Sequence, residues 1–346
     1  MKVSLSFCLI GKFKIMKKTV IGIDISAKTL DICVKSEFGE EFYVIENSIS
    51  AIKKFLKPFT KTKQELVLGM ENTGRYNWNL YEVLEDFQGS VFVINPLHLS
   101  KSLGLQRGKN DKVDAKRIAE FTLKNEGEMK AWEPSPASLK KLKVLLSERK
   151  SKIKLRTALL QQNKNYSNLK TIGLDKQLIK MNKEEIVLLS RHIECLEKEM
   201  DLVIKSDEEL SRKSALMHSI PGVGKVLTWM FLAKTENFRN ITTARKMACY
   251  SGVVPFDHQS GSSIRFRPRV SMFSDKSLKS VLHLASMSVI QSENDLRAYY
   301  LRKVSEGKNK MLVLNNIRNK IIHRIFAVVN SGRNYEKNYQ NNLVWP

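Results

Sequence analysis

Three short apolar runs fall within the first hundred residues: TVIGIDIS (Thr19 to Ser26), ELVLGMENTG (Glu65 to Gly74) and VFVINP (Val91 to Pro96). Each is rich in branched residues and closed by a polar or proline turn, which reads as a strand. LDICVKS follows the first run after a brief turn, so the two pair as a hairpin. NWNLYEVLEDF, between the second and third runs, has helical periodicity. Strands alternating with helices predict an α/β domain over residues 16–130.

WEPSPAS (Trp132 to Ser138) is a proline-punctuated boundary, and a highly charged stretch follows. Leu146, Ile153 and Leu160 recur every seven residues. After a break near Gly173, Ile186, Leu189, Ile193, Leu196, Met200 and Val203 step by threes and fours. That is a heptad seam, and it predicts a helical, coiled-coil connector over residues 131–213. The seam closes either an antiparallel helical pair or a dimer, or it is one face of an ordinary bundle helix. A mainly helical third section follows over residues 214–330. The polar residues 331–346 read as a flexible tail. Residues 1–15 carry a lysine-interrupted apolar run that faintly resembles a short signal peptide. Met16 directly precedes KKTVIGIDIS, so this stretch reads as an extension upstream of the working start codon.

Charge narrows the function. The chain has 59 Lys and Arg against 35 Asp and Glu, a formal net charge of +24. Such an excess suits a polyanion, and nucleic acid fits better than a membrane surface. No run reaches the roughly 18 apolar residues of a membrane span. Cys8, Cys33, Cys195 and Cys249 are scattered without the spacing of a zinc site or disulfide framework, which fits a cytoplasmic protein.

Four acids stand out. Asp24 and Glu71 each lie where a strand leaves its sheet, the edge at which open α/β sheets bind ligands. An ionised group flanked by Ile23 and Ile25 must be solvated or paired. Asp111 and Asp114, three apart, share one helix face. They suit a helix N-terminus, and they sit among Arg107, Lys109, Lys112, Lys116 and Arg117. Taken together, the four carboxylates form a hard-oxygen set suited to Mg²⁺ or Mn²⁺. Two such ions about 4 Å apart assist phosphodiester chemistry, and the surrounding cations would hold a phosphate backbone.

Two further stretches carry signals. IPGVG (Ile220 to Gly224), flanked by helices and followed by Lys225, resembles a helix-hairpin-helix turn. There Gly222, Gly224 and Lys225 would meet a DNA phosphate; a plain tight turn is the alternative. HQSGSSIRFRPR sets Ser260 beside Gly261, with Arg265, Arg267 and Arg269 close behind. A serine hydroxyl needs help to become a nucleophile, and arginines around a phosphate supply part of it. His258 is a proton acceptor or a polar loop residue.

The motifs IGIDISAKTLDICV, MENTGRY, NPLHLSKSLGLQRGKNDKVDAKRIAEF, SIPGVGKVLTWMFLAKTENF and YSGVVPFDHQSGSSIRFRPRVS, in this order, resemble the Asp-Glu-Asp-Asp transposases of bacterial insertion sequences. The resemblance runs from Thr19 to about Val329. It implies a RuvC-like, RNase H-like N-terminal domain whose acids map onto Asp24, Glu71, Asp111 and Asp114. It implies a C-terminal transposase domain whose serine becomes linked to DNA, best matched by Ser260. It further implies a homodimer that pairs into a tetramer, composite sites across subunits, donor and target DNA as substrates, and a non-coding guide (bridge) RNA. Many members have Ser-Ser-Gly where this chain has Gln259-Ser260-Gly261, so Ser262 and Ser263 stay open as nucleophiles. RVSMFSDKSLKSVLH also lacks the family's frequent Ser-Lys-Arg-Gly form.

The expected activity is therefore RNA-guided DNA strand cleavage and exchange through a phosphoserine link. The competing reading is a RuvC-like, metal-dependent, structure-specific nuclease that uses water. A kinase-like ATPase would need later Gly-rich phosphate loops, and the GxxxxGK[ST] spacing is absent. A non-catalytic RNA-binding protein would gain nothing from four carboxylates on a polyanion-binding surface.

Overall fold

The computed structural model describes residues 18–59, 65–102, 110–166, 173–260 and 264–336, without side chains at Arg75, Lys101, 257–260 and 264–267. Two compact units divide at Pro134 and Ser135. Among the described residues no helix is long and apolar enough to cross a membrane.

The N-terminal unit is built on a five-stranded sheet in the order β3-β2-β1-β4-β5. β1 (Lys18–Ile25) and β2 (Thr29–Ser36) form the expected hairpin, and β3 (Gly39–Glu46) extends it antiparallel. β4 (Glu65–Glu71) and β5 (Ser90–Ile94) add on the other side, parallel to β1. The period-two alternation of each strand divides two cores. Ile21, Ile23, Leu68 and Met70 face α1 (Ile49–Leu56) and α2 (Trp78–Leu84), through Ile52, Leu56, Leu80 and Leu84. Val20, Cys33, Val67 and Phe92 face Ala115 and Ala119 of α4 (Asp111–Asn125). α3 (Pro96–Ser102) follows β5, and its Leu99 packs with Ile94 and Ile118. Past α4, the Trp132 N–H donates to the Val91 carbonyl (2.6 Å), and the Trp132 ring stacks on Tyr81.

Gly22 and Gly69 bring α4 close to the sheet. A Cβ on Gly22 would lie 2.3 Å from the Ala115 carbonyl oxygen and 2.4 Å from Ala119 N. One on Gly69 would lie 1.8 Å from Thr122 Oγ1. The missing side chains let the helix settle directly on β1 and β4.

The C-terminal unit opens with α5 (Ala137–Tyr166) and α6 (Asp175–Lys205), which pack on one another. Arg149 bonds to Glu197, Arg156 to Ser190, and Asn182 to Asn163. One number rises as the other falls, so the pair is antiparallel and the seam closes within one chain. The seven-residue step on α5 does not hold to its end: Leu160 is 47 % exposed. A straight helix drifts about 20° per heptad, which carries the third position off the seam. At the root of the pair, Leu139, Leu142, Met200 and Val203 join the core of the remaining helices. These are α7 (Glu208–His218), α8 (Lys225–Lys234), α9 (Ala244–Tyr250), α10 (Lys276–Val289), α11 (Asp295–Ser305) and α12 (Lys310–Ser331).

Two features of this unit depart from the sequence reading. β6 (Phe256–Ser260) and β7 (Ile264–Arg269) form an antiparallel hairpin where a loop in a helical section was expected. The first residues of the expected tail are anchored: the Tyr335 N–H donates to Ser219 Oγ (2.8 Å), and its ring lies under the Arg324 guanidinium. Residues 337–346 lie outside the described residues.

Candidate active site

Strand period and register bring the acids to one edge. Asp24 is two residues past Gly22 and Glu71 two past Gly69, so both acids share the sheet face that α4 covers. β1 and β4 run parallel with Ile23 opposite Met70, so the two acids leave adjacent strands side by side. Asn110 caps α4 by accepting from the Lys112 N–H, which sets Asp111 and Asp114 in the helix's first turn. The close fit at Gly22 and Gly69 fixes where that turn stands.

Asp24 registers all of this. Its carboxyl is pushed up to about 6, burial being the largest cause. The negative charges of Asp114, Glu71 and Asp111 contribute to that rise, and a hydrogen bond from the Ile25 N–H opposes it. The four acids picked from sequence thus share one electrostatic neighbourhood. Asp114 also accepts from Arg117 Nη1 at 2.7 Å.

A fifth acid escaped the sequence reading. Asp31 on β2 stands directly opposite Asp24, and burial followed by the charge of Asp111 raises its pKa, with Lys112 acting against them. In LDICVKS it looks like an ordinary polar residue of an alternating strand, and only the register reveals it. The repeated Gly-x-acid spacing, Gly22 to Asp24 and Gly69 to Glu71, was the available signal for the close helix.

The carboxylates suit a hard divalent cation in kind, and such a cation would offset both the burial and the like charges that raise the pKa of Asp24. As placed, no group of three or more His, Cys, Asp or Glu among the described residues is gathered to hold an ion.

The other expected contacts fare variously. Lys112 is exposed, whereas Lys116 is paired with Glu40 (2.6 Å). Gly222 has φ +82°, and a Cβ there would lie 2.8 Å from Val289 Cβ, so it serves a turn packed on α10. Gly224 is the N-cap of α8, and Lys225 pairs with Asp201 at 2.6 Å on the surface. Ser260 ends β6 opposite Ile264, and Arg269 ends β7, exposed. Arg107, Lys109, Ser262 and Ser263 lie outside the described residues, as do the side chains of His258, Ser260, Arg265 and Arg267.

The hairpin has a firm stem. The Asp275 N–H donates to the Tyr250 carbonyl (2.8 Å), tying together the two segments that flank the strands. Gly252 (φ +66°) lies against Ser274, and Asn315 Nδ2 donates to the Val253 carbonyl (2.8 Å).

Comparison with known proteins matches this arrangement to two family descriptions. Residues 21–171 match a transposase family of DEDD type, and residues 214–301 match the transposase IS116/IS110/IS902 family. The pilin gene-inverting protein of Moraxella bovis is 26 % identical over 336 residues, covering 93 % of this chain and 99 % of the relative. The transposase for insertion sequence element IS1111A of Coxiella burnetii is 23 % identical over 271 residues, covering 70 % of each chain. The two matches take in both units and more than half of the sequence, and the chain belongs to the IS110/IS116 family of transposases, enzymes that cut and rejoin DNA.

Proposed function

We propose that the chain is an RNA-guided transposase of a bacterial insertion sequence that exchanges DNA strands through a phosphoserine link. The observation that carries this is the placement of Asp24, Glu71, Asp111 and Asp114 at one edge of the sheet, set by the parallel register of β1 and β4 and the close docking of α4. An RNase H-like (RuvC-like) domain over residues 16–130 is supported by the sheet: an antiparallel hairpin continued by parallel strands, with acids at its carboxyl edge. The α5–α6 pair is the coiled-coil connector of residues 131–213. Residues 214–330 form the transposase domain, where the α7–α8 turn is helix-hairpin-helix-like.

In this reading Asp24, Glu71, Asp111 and Asp114 would hold Mg²⁺ or Mn²⁺, which would supply charge neutralisation at the scissile phosphate and ease ionisation of the attacking hydroxyl. Ser260 Oγ gives up its proton and bonds to phosphorus, while the phosphorus bond to the leaving sugar oxygen breaks and that oxygen takes a proton. The freed hydroxyl of the partner strand later attacks the phosphoserine and restores Ser260. One phosphoester replaces another, so no ATP is consumed. Arg265, Arg267 and Arg269 lie on the strand after the serine turn and would steady the phosphate. Arg107, Lys109, Lys112 and Lys116, with Gly222, Gly224 and Lys225, supply backbone contacts to donor and target DNA and to the guide RNA. Base pairing with that RNA selects the sequence. The working assembly is a homodimer that pairs into a tetramer in the cytoplasm.

The test is a protein–DNA adduct, sought after denaturation without protease in cells carrying the element with its native flanks. Wild type should yield the adduct, and Ser260→Ala and Asp24→Ala should not. Cut DNA without an adduct, persisting in Ser260→Ala, would establish the hydrolytic nuclease and reduce Ser260 to a turn residue. Metal binding has its own readout: Mg²⁺ should raise the melting temperature of wild type but not of Asp24→Asn.

A further inference from the structure

The C-terminal unit holds a group of cations that the serine chemistry does not use. Arg318 on α12 is only 6 % exposed, and among the described residues its Nε has no hydrogen-bond partner and no carboxylate is paired with it. Its Nη2 donates to His283 Nδ1 at 2.8 Å, and its Nη1 reaches Asn315 Oδ1 at a long 3.4 Å. Lys279 and His283, four apart, share one face of α10, which packs on α12. Burial and then the charge of Arg318 hold both below their ordinary pKa values, and burial alone acts on Arg318. Asp275, the acid that caps α10, is engaged by Lys234 (2.9 Å) and by the Leu278 N–H (2.9 Å).

A buried guanidinium without a carboxylate is costly, and an apolar side chain of similar size would serve packing better. Such a group is useful where an incoming anion completes it. His283 accepts at Nδ1, so the neutral ring carries its proton on Nε2, where it can donate. A guanidinium N–H, an ammonium and an imidazole N–H make a donor set for a tetrahedral oxyanion. The position matters too. A Cβ on Gly252 would lie 3.9 Å from Lys279 Cδ, and Asn315, next to Arg318, holds the Val253 carbonyl. β6 begins three residues later.

We infer that Lys279, His283 and Arg318 form a phosphate site that takes one backbone phosphodiester of bound nucleic acid at the foot of the β6–β7 hairpin. The identity of the ligand rests on the strand-exchange reading above; the anion site itself does not.

Two measurements on the full chain test this. The first compares melting temperatures in inorganic phosphate and in chloride at equal ionic strength. Phosphate should raise wild type by several degrees more than Lys279→Gln or Arg318→Met. In chloride both variants should melt at or above wild type, because each removes like-charge repulsion without breaking an ion pair. Equal phosphate responses would overturn the site. The second follows binding of duplex DNA and of single-stranded RNA across a salt series. Lys279→Gln should reduce the slope of log K against log salt by about 1 for whichever polymer enters. An unchanged slope for both, with the phosphate response intact, would overturn the assignment to nucleic acid. A phosphate response in a protein that forms no serine adduct would sink the strand-exchange reading and leave the anion site standing.

Discussion

Asp24 holds its proton more tightly in the folded chain than in the unfolded one, at about 6 against 3.8. The stability this group contributes is therefore full below pH about 4 and is lost as the pH rises through about 6. The difference corresponds to a cost on the order of 3 kcal/mol at neutral pH. Asp24→Asn should thus stabilise the metal-free N-terminal unit against urea at about pH 7.5, and the gain should vanish near pH 4. A gain independent of pH would show that the residue carries no such strain. Asp24 and Glu71 were legible in the sequence because a carboxylate after an apolar strand has few other reasons to be there. Asp31 was not, because its partner lies across a hairpin whose register the sequence does not print. Arg318 was hidden for a related reason: a basic residue in a helix of a basic protein looks solvated until the helix is packed.

The elements show where periodicity suffices and where it does not. Strands β1, β2, β4 and β5 and the two long helices followed from apolar spacing. β3 did not, because its sequence, GEEFYVIE, is exposed along nearly its whole length and carries no buried alternation. β7 was missed although IRFRPR alternates at the strand period, because the neighbouring SGSS suggested a loop. The docking of α4 was also unread, and it gives a sharp prediction. Gly22→Ala drives a methyl group into the helix backbone and should cost about 3 kcal/mol of stability. Gly69→Ala meets the buried side chain of Thr122 rather than the helix backbone, at the expense of its hydrogen bond to the Ile118 carbonyl, so the loss should be smaller. Thermal unfolding of the two variants orders them, and the reverse order would mean that α4 rests elsewhere. Within the α5–α6 pair, Leu189→Lys with Leu196→Lys should lower helical content by circular dichroism, because those positions face the partner helix of the same chain.

At the scale of the whole molecule, the charge of +24 predicts nucleic-acid binding that weakens steeply with salt. On the proposed reading, Asp24→Ala should leave RNA affinity within about twofold of wild type in a filter-binding titration, since metal ligation and backbone contact would use different groups. Loss of RNA binding in that variant would place the RNA on the acidic edge itself. The helical pair leaves Val187 and Leu188 half-exposed, at 51 % and 50 %, beside its closed seam. If the dimer forms there, Val187→Lys with Leu188→Lys should halve the mass seen by light scattering without changing helical content. An unchanged mass would move the subunit contact off the helical pair.

The clamped stem of the β6–β7 hairpin has a mechanical consequence. Five strand residues carry the chain about 17 Å outward from a fixed base. The length of this arm follows its number of rungs, with one irregularity of register between Phe256 and His258. Adding two residues to each strand would lengthen the arm by about 7 Å and return the serine to the same side. Adding one to each would turn it to the opposite side and lengthen the arm by only about 3.4 Å. Lengthened arms of even and odd increment would therefore separate reach from facing, the two things a nucleophile carried on such an arm must satisfy at once.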